Sequence, residues 1–348
     1  MSVYPGKPGF HFKPHFILRT LLGLAFAALA FAFLAGRLDE LSGASVKLAN
    51  SDWRWGLASL VMEALSLTSY AVLQKRLIQT AGVTSAIMPL LLLTMATIAI
   101  TDSLPGEPAF STAYRFQQYK HLGTDDVGAS WVVIAQVAAS TIGLVLLLIA
   151  GLATLAANFT FYYLWAVSAV GAAVIFVAAA ILFRRDLLSQ TAIRILRFIK
   201  RNTGHPRTDV KEKLEASIEK LRSIEVGRME LAAIVGWALL AWIFEALCLI
   251  ASFYMVAAPI PWTALTLAYG LSQIAAVAPI LPGGLGLVEG SITSVLVAFG
   301  AARVPTLAAV LAYRLVEYWL MIPLGWLAFA FIAYQWRKTL RKPSTSSP

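Results

Sequence analysis

Charge is what this sequence has least of. Only 13% of its 348 residues are charged and 59% are hydrophobic. Soluble domains carry roughly 25% charged residues, so the composition excludes an ordinary soluble fold and implies a polytopic membrane protein. Cysteine is nearly missing too. Cys248 is the sole one and lies inside an apolar run, which rules out an intramolecular disulfide and leaves a small hydrophobe. The four histidines, His11, His15, His121 and His205, are scattered. None falls in a His-Glu-x-x-His spacing, so no metal or other cofactor is expected. Asp125-Asp126 is an isolated acidic pair and reads as a helix-start cap. Basic residues exceed acidic ones, giving a net charge of +10. They flank apolar runs, as membrane topology requires, and do not interleave with aromatics, which excludes a nucleic-acid partner.

What is present is a succession of apolar runs, broken in two places. The N-terminal tail, 1–15, precedes a first helix at 16–36, retained because no small-residue cleavage site follows it. A linker with Arg37, Asp39 and Glu40 leads to a helix at 53–73 with Glu63 at its centre, followed by Lys75 and Arg76. The run 83–101 ends at Leu104-Pro105-Gly106-Glu107-Pro108, and a short half-buried helix is expected beyond it. Helices follow at 129–153 and 160–183. Residues 184–229 form a basic amphipathic loop, with Arg194, Arg197 and Arg201 on one face. A helix at 230–257 carries Glu245. The run 262–280 ends at Leu281-Pro282-Gly283-Gly284-Leu285-Gly286-Leu287-Val288-Glu289-Gly290. A long run, 305–335, then bears Arg314 and Glu317 near its start and Pro323 as its expected kink. A basic, Ser/Pro-rich disordered tail, 337–348, closes the chain.

Proline without its N–H, and four glycines, cannot continue a helix, so 281–290 is a break. The run after it, 287–300, reaches about 21 Å as a helix, short of a ~30 Å hydrocarbon core. A plain turn between two spanning helices is one reading. The short run and the charge at Glu289 favour a re-entrant loop surrounded by protein or water. Pro105 and Pro282 are 177 positions apart, as are Gly123 and Gly300, which suggests an internal repeat.

Charge placement adds an orientation. The N-terminal tail, Lys75/Arg76, the 184–229 loop and the C-terminus should all be cytoplasmic. The parity of crossings permits this only if 83–122 and 262–300 each dip in and return on their own side. The expected architecture is therefore all-α, with about six full crossings and two re-entrant Pro-Gly units arranged as inverted repeats. The membrane halves are 16–183 and 230–336. Broken elements meeting near the midplane are a transporter arrangement.

Intramembrane ionisable groups cost about 2.5–3.5 kcal/mol each at the bilayer centre and mark function by default. The candidates are Glu63, Glu245, Glu289, Arg314 and Glu317, with Glu107 and Arg115 at the first loop. Arg314 either pairs structurally with Glu289 or Glu317, or serves as a ligand. Glu63 and Glu245 either act as charges or sit there neutral. The guanidiniums of Arg115 and Arg314 suit a lipid phosphate. Pro105, Gly106, Pro282, Gly283, Gly284 and Gly286 would shape the loops so that backbone approaches a headgroup.

The Pro-Gly-Gly-Leu-Gly…Val-Glu motif at 282–289, with Tyr313-Arg314 later, resembles the lysylphosphatidylglycerol synthase/flippase-like transmembrane family, over residues 15–335. The first loop departs from it, with Glu107 where members often have a second glycine. The resemblance implies movement of a phospholipid or lipid-linked glycan across a bacterial or archaeal plasma (inner) membrane. The family's aminoacyl-transferase activity belongs to a separate soluble domain, so an enzyme is not expected. Two other readings stay open: an accessory membrane protein scaffolding an envelope-biosynthesis enzyme, and an integral-membrane transferase.

Overall fold

A computed structural model describes residues 38–104, 107–156, 226–276 and 282–340. The expected first helix (16–36), Pro105 and Gly106, the helix at 160–183 and most of the 184–229 loop lie outside the described residues. Every described element is helical. They are α1 Leu38–Ala49, α2 Trp53–Thr80, α3 Ile87–Ser103, α4 Glu107–His121, α5 Asp126–Ala156, α6 Arg228–Met255, α7 Trp262–Ala276, α8 Leu287–Ala298, α9 Arg303–Arg314 and α10 Met321–Leu340. A 3-10 turn, Pro282–Gly284, precedes α8, and a π turn, Leu315–Trp319, joins α9 to α10.

Four stretches among the described residues are long and apolar enough to cross a membrane: Trp53–Thr80, Asp126–Leu152, Arg228–Met255 and Arg303–Lys338. Two apolar helices are shorter. Ile87–Ser103 has 17 residues and Leu287–Ala298 has 12. At 1.5 Å per residue these reach about 26 and 18 Å.

The order of elements repeats. Shifted by 177, the starts of α2 to α5 fall at 230, 264, 284 and 303, against 228, 262, 287 and 303 for α6 to α9. The match extends to a single hydrogen bond. Gly123 (φ 109°) and Gly300 (φ 89°) both end their helices in the left-handed region. After them, Thr124 N–H donates to Tyr119 C=O at 3.2 Å and Ala301 N–H to Leu296 C=O at 3.0 Å, again offset by 177. Only a residue without a Cβ enters that conformation freely, which is why these two glycines mark the repeat. The halves differ where α5 runs unbroken while α9 and α10 are separated by the π turn.

Packing centres on α2 against α6, the most extensive helix pair. One apolar cluster joins α2, α3, α5 and the start of α6 around Leu73, Leu77, Trp131 and Ile234. The other joins the end of α6 to α7, α8 and α9 around Phe253, Tyr269, Ile292 and Tyr313. Since α6 belongs to both, it ties the halves together. Lipid tails are as apolar as these side chains, so within a bilayer the clusters set the helix arrangement by close van der Waals packing.

Several elements differ from the sequence reading, each for a physical reason. The expected linker after Arg37 is the helix α1. Ala44 and Leu48, four apart, face the second cluster, so a short amphipathic stretch gains burial by coiling. The helix expected to end at residue 73 continues to Thr80. Arg76 does not stop it, because Glu230 of α6 accepts two hydrogen bonds from Arg76 Nη1 at 2.9 and 3.1 Å. The break in the last run comes before Pro323, not at it. Proline has no N–H to offer the carbonyl of Trp319, and the ladder widens just ahead, with Leu320 N–H donating five residues back to Leu315 C=O at 3.0 Å. Helix α10 continues past the expected tail boundary to Leu340, with Arg337 and Lys338 in its last turn, where cations favour the helix C-terminus. Asp125 accepts from Gly128 N–H at 3.2 Å, so it is a helix-start cap.

Candidate functional site

The site is organised by Arg314, whose place follows from local structure. The Pro282–Gly284 turn brings the backbone close to α9, and Gly283 and Gly284 adopt φ values of 59° and 61°. A Cβ on Gly283 would run into the Tyr318 ring, so only glycine lets the turn lie there. The turn's Gly283 carbonyl accepts from Arg314 Nη2 at 2.9 Å. Nε donates to Glu289 Oε1 and Nη1 to Glu317 Oε2, each at 2.8 Å. Tyr318 lies under the guanidinium, with Cζ 4.2 Å from its ring centroid. Arg314 is 2% exposed. A buried guanidinium is tolerable only when charge and hydrogen bonds compensate its lost hydration, and here two carboxylates, a carbonyl and a ring do so. Three of its five donors are used.

Glu289 has a second task. Its Oε2 accepts from Gly286 N–H at 2.7 Å, closing the first turn of α8. One carboxylate thus links the glycine loop, α8 and α9. Tyr318 extends the link to the other half, where its hydroxyl donates to the Asp102 carbonyl at the end of α3 at 3.0 Å. The second loop therefore meets the broken helix of the first repeat.

Beside this cluster lies a cavity of about 290 Å³ that draws on both halves. The first contributes Glu63, Gln74, Thr94, Asp102 and Arg115. The second contributes Glu245, Gln273, Gly283, Arg314 and Glu317. Glu245 Oε1 accepts from Tyr313 Oη at 3.1 Å and from Gln273 Nε2 at 3.3 Å. Gln74 Nε2 donates to Thr94 Oγ1 at 2.9 Å. Three buried polar atoms on the cavity wall have no partner among the described residues: Glu63 Oε2, Gln74 Oε1 and Arg115 Nε. Buried polar atoms are normally paired, so such a group of unpaired ones marks where a ligand, water or proton would sit.

Of the residues singled out from sequence, the structure thus brings Glu63, Arg115, Glu245, Gly283, Arg314 and Glu317 to one cavity, with Glu289 just behind Arg314. Pro282 opens the 3-10 turn. Gly284 and Gly286 shape that turn and do not line the cavity. A Cβ on Gly284 would meet Ala276 Cα and Val288 Cγ2, both at 3.0 Å, so the close approach is to neighbouring helices. Glu107 begins α4. Pro105 and Gly106 lie outside the described residues.

Sequence reasoning missed the amides Gln74 and Gln273, Asp102, and the tyrosines Tyr313 and Tyr318 as hydrogen-bonding partners. The amides carried a signal, being polar residues inside apolar runs. Tyr313 carried one as part of the Tyr313-Arg314 pair of the family motif, and Tyr318 none beyond its adjacency to Glu317.

Among the described residues no group of three or more His, Cys, Asp or Glu is arranged to hold a metal ion. Among curated proteins, none matches the chain. A family match, however, takes in both breaks, both cavity arginines and the π turn. Residues 20–325 fit the lysylphosphatidylglycerol synthase TM region, and the chain belongs to that family.

Proposed function

We propose that this membrane protein moves an anionic lipid, or a lipid-linked glycan, across the bilayer, binding its headgroup in the cavity between the two repeats. The observation that carries the reading is the cavity itself, set inside an apolar helical protein, with charged and amide side chains of both halves on its wall. Ligand sites at a repeat interface, beside interrupted helices, are how inverted-repeat transporters are built. Arg115, with a buried unpaired Nε, supplies one phosphate contact, and Arg314 a second through its two remaining donors. Glu289 and Glu317 hold Arg314 when the headgroup is absent and give it up in part when phosphate arrives. Exchangeable partners allow release as well as binding.

In this reading α3–α4 and α7–α8 are re-entrant units entering from opposite faces, with both termini and the 184–229 loop in the cytoplasm. The 17 and 12 residues of α3 and α8, short for a full crossing, support it. The chain acts without catalysing a covalent step.

The test is lipid movement in reconstituted vesicles, with lipids that copurify identified by mass spectrometry and supplied in fluorescent form. Arg115→Ala is the cleaner variant, since Arg115 has no ion pair among the described residues whose loss would disturb folding. Its expected effect is a loss of at least tenfold in rate. If the unmutated protein moves none of the lipids bound to it, the transport reading fails and the accessory role replaces it.

A further inference from the structure

The cavity holds more acid than a site for an anionic headgroup calls for. Glu63, Asp102, Glu245 and Glu317 line it, against Arg115 and Arg314, and Arg314 is already paired with Glu317 and Glu289. An anionic headgroup entering this space adds a further negative charge, and like charges at short range repel one another. A proton held on the acidic wall removes that repulsion.

Glu63 is where that charge has a place. It is 4% exposed, it lines the cavity, and its Oε2 is buried without a partner. Its counterpart Glu245 is different, receiving hydrogen bonds from Tyr313 and Gln273. What faces Glu63 is largely acidic. Glu245 comes from α6, Asp102 from α3 and Glu317 from the π turn. The thiol of Cys248 also comes from α6, and the hydroxyl of Tyr269 from α7. Tyr70 shares its helix, and Arg115 of α4 and Arg314 of α9 stand on the same wall. Helix α5 brings no ionisable group beyond Asp126 at its start.

We propose that Glu63 is a proton-binding site and that a proton and an anionic headgroup occupy the cavity together, so that the protein is a proton–lipid symporter. This rests on the transport reading above and adds its energy source. In the step, a Glu63 carboxylate oxygen takes a proton from water on one side, turning carboxylate into neutral acid, and the headgroup binds beside it. On the other side the O–H bond breaks, the proton returns to water and the headgroup leaves. Charge balances at each stage: one anion and one proton in, the same out.

Two measurements separate this proposal from the one it rests on. In the first, monoanionic phosphatidylglycerol is added to purified protein in weakly buffered detergent and proton uptake is read with an indicator dye. With the protein first equilibrated at a pH high enough to deprotonate Glu63, about one proton per bound lipid is expected, lost in Glu63→Gln and kept in Glu63→Asp, which retains an acid. Binding without uptake, or equal uptake by Glu63→Gln, overturns the proton site. In the second, fluorescent phosphatidylglycerol is followed in phosphatidylcholine vesicles with a pH difference imposed. One proton per lipid shifts the steady-state distribution toward the alkaline side about tenfold per pH unit. Movement that ignores the pH difference overturns the coupling and leaves transport standing. Uptake without movement in vesicles upholds the proton site and removes the transport reading. Failure of phosphatidylglycerol to bind at all overturns the symport.

Discussion

Replacing Arg314 with alanine gives the sharpest test of how the second loop is held. The substitution removes the donors to Glu289 Oε1, Glu317 Oε2 and Gly283 C=O, and the cation over Tyr318. What remains are two carboxylates, 13% and 21% exposed, facing one another without a counter-charge. Breaking a buried ion pair by removing one partner costs about 3–5 kcal/mol, most of it from the charge left behind. Losing the cation–π contact adds about 0.5–2 kcal/mol. Arg314→Ala should therefore destabilise by about 3.5–7 kcal/mol, while Arg314→Lys keeps the charge but not the fork and should lose about half as much. The cost lies in the stranded carboxylates, so Arg314→Ala combined with Glu317→Gln should be more stable than Arg314→Ala alone. A double-mutant cycle on thermal unfolding in detergent, read by tryptophan fluorescence, measures this coupling, expected at about 1–3 kcal/mol. If Arg314→Ala unfolds at the unmutated temperature, or if Glu317→Gln destabilises equally in both backgrounds, the cluster is not what holds the loop.

Gly283→Ala should destabilise strongly, because φ of 59° and the Tyr318 ring both oppose a Cβ; Gly290→Ala, with nothing within 4 Å of its Cβ, should unfold within about 0.5 kcal/mol of the parent. Equal unfolding temperatures for the two would contradict the turn geometry. Reporter fusions at residues 205 and 345 should both give cytoplasmic signals, and opposite signals would undo the parity argument. In a Cys248→Ser background, an impermeant thiol reagent added outside should label Phe299→Cys but reach Gln118→Cys only after the cells are opened. Labelling of both from outside would rule out opposed re-entrant units.

Much of the fold was legible because its signals are local. Apolar run length, the proline-glycine breaks and the paired glycines follow from backbone chemistry within a few residues. The 177-residue offset seen in Pro105/Pro282 and Gly123/Gly300 reappears, to within three residues, in the starts of four successive helices for that reason. Where local signals were weak, the reading failed. The helix α1 looked like a linker because its burial depends on a cluster formed by helices far along the chain. Arg76 looked like the end of a helix because its partner, Glu230, is 154 residues away.

The sequence by itself determined that this is a helical membrane protein of a known family, where its Pro-Gly stretches lie, and which charged residues lie within apolar runs. Only the tertiary structure decided what those residues do to one another. Arg314 could be matched with either nearby carboxylate, and the fold joins both to it and adds the Gly283 carbonyl and the Tyr318 ring. Glu63 and Glu245 looked equivalent on paper, yet one is hydrogen-bonded by Tyr313 and Gln273 and the other has a buried oxygen with no partner. The reason is physical. Periodicity and helix breaks arise between neighbours in the chain, whereas the partner of a buried charge is chosen by whichever helix packs beside it. That choice is made when α2, α3, α6 and α9 close around a common cavity.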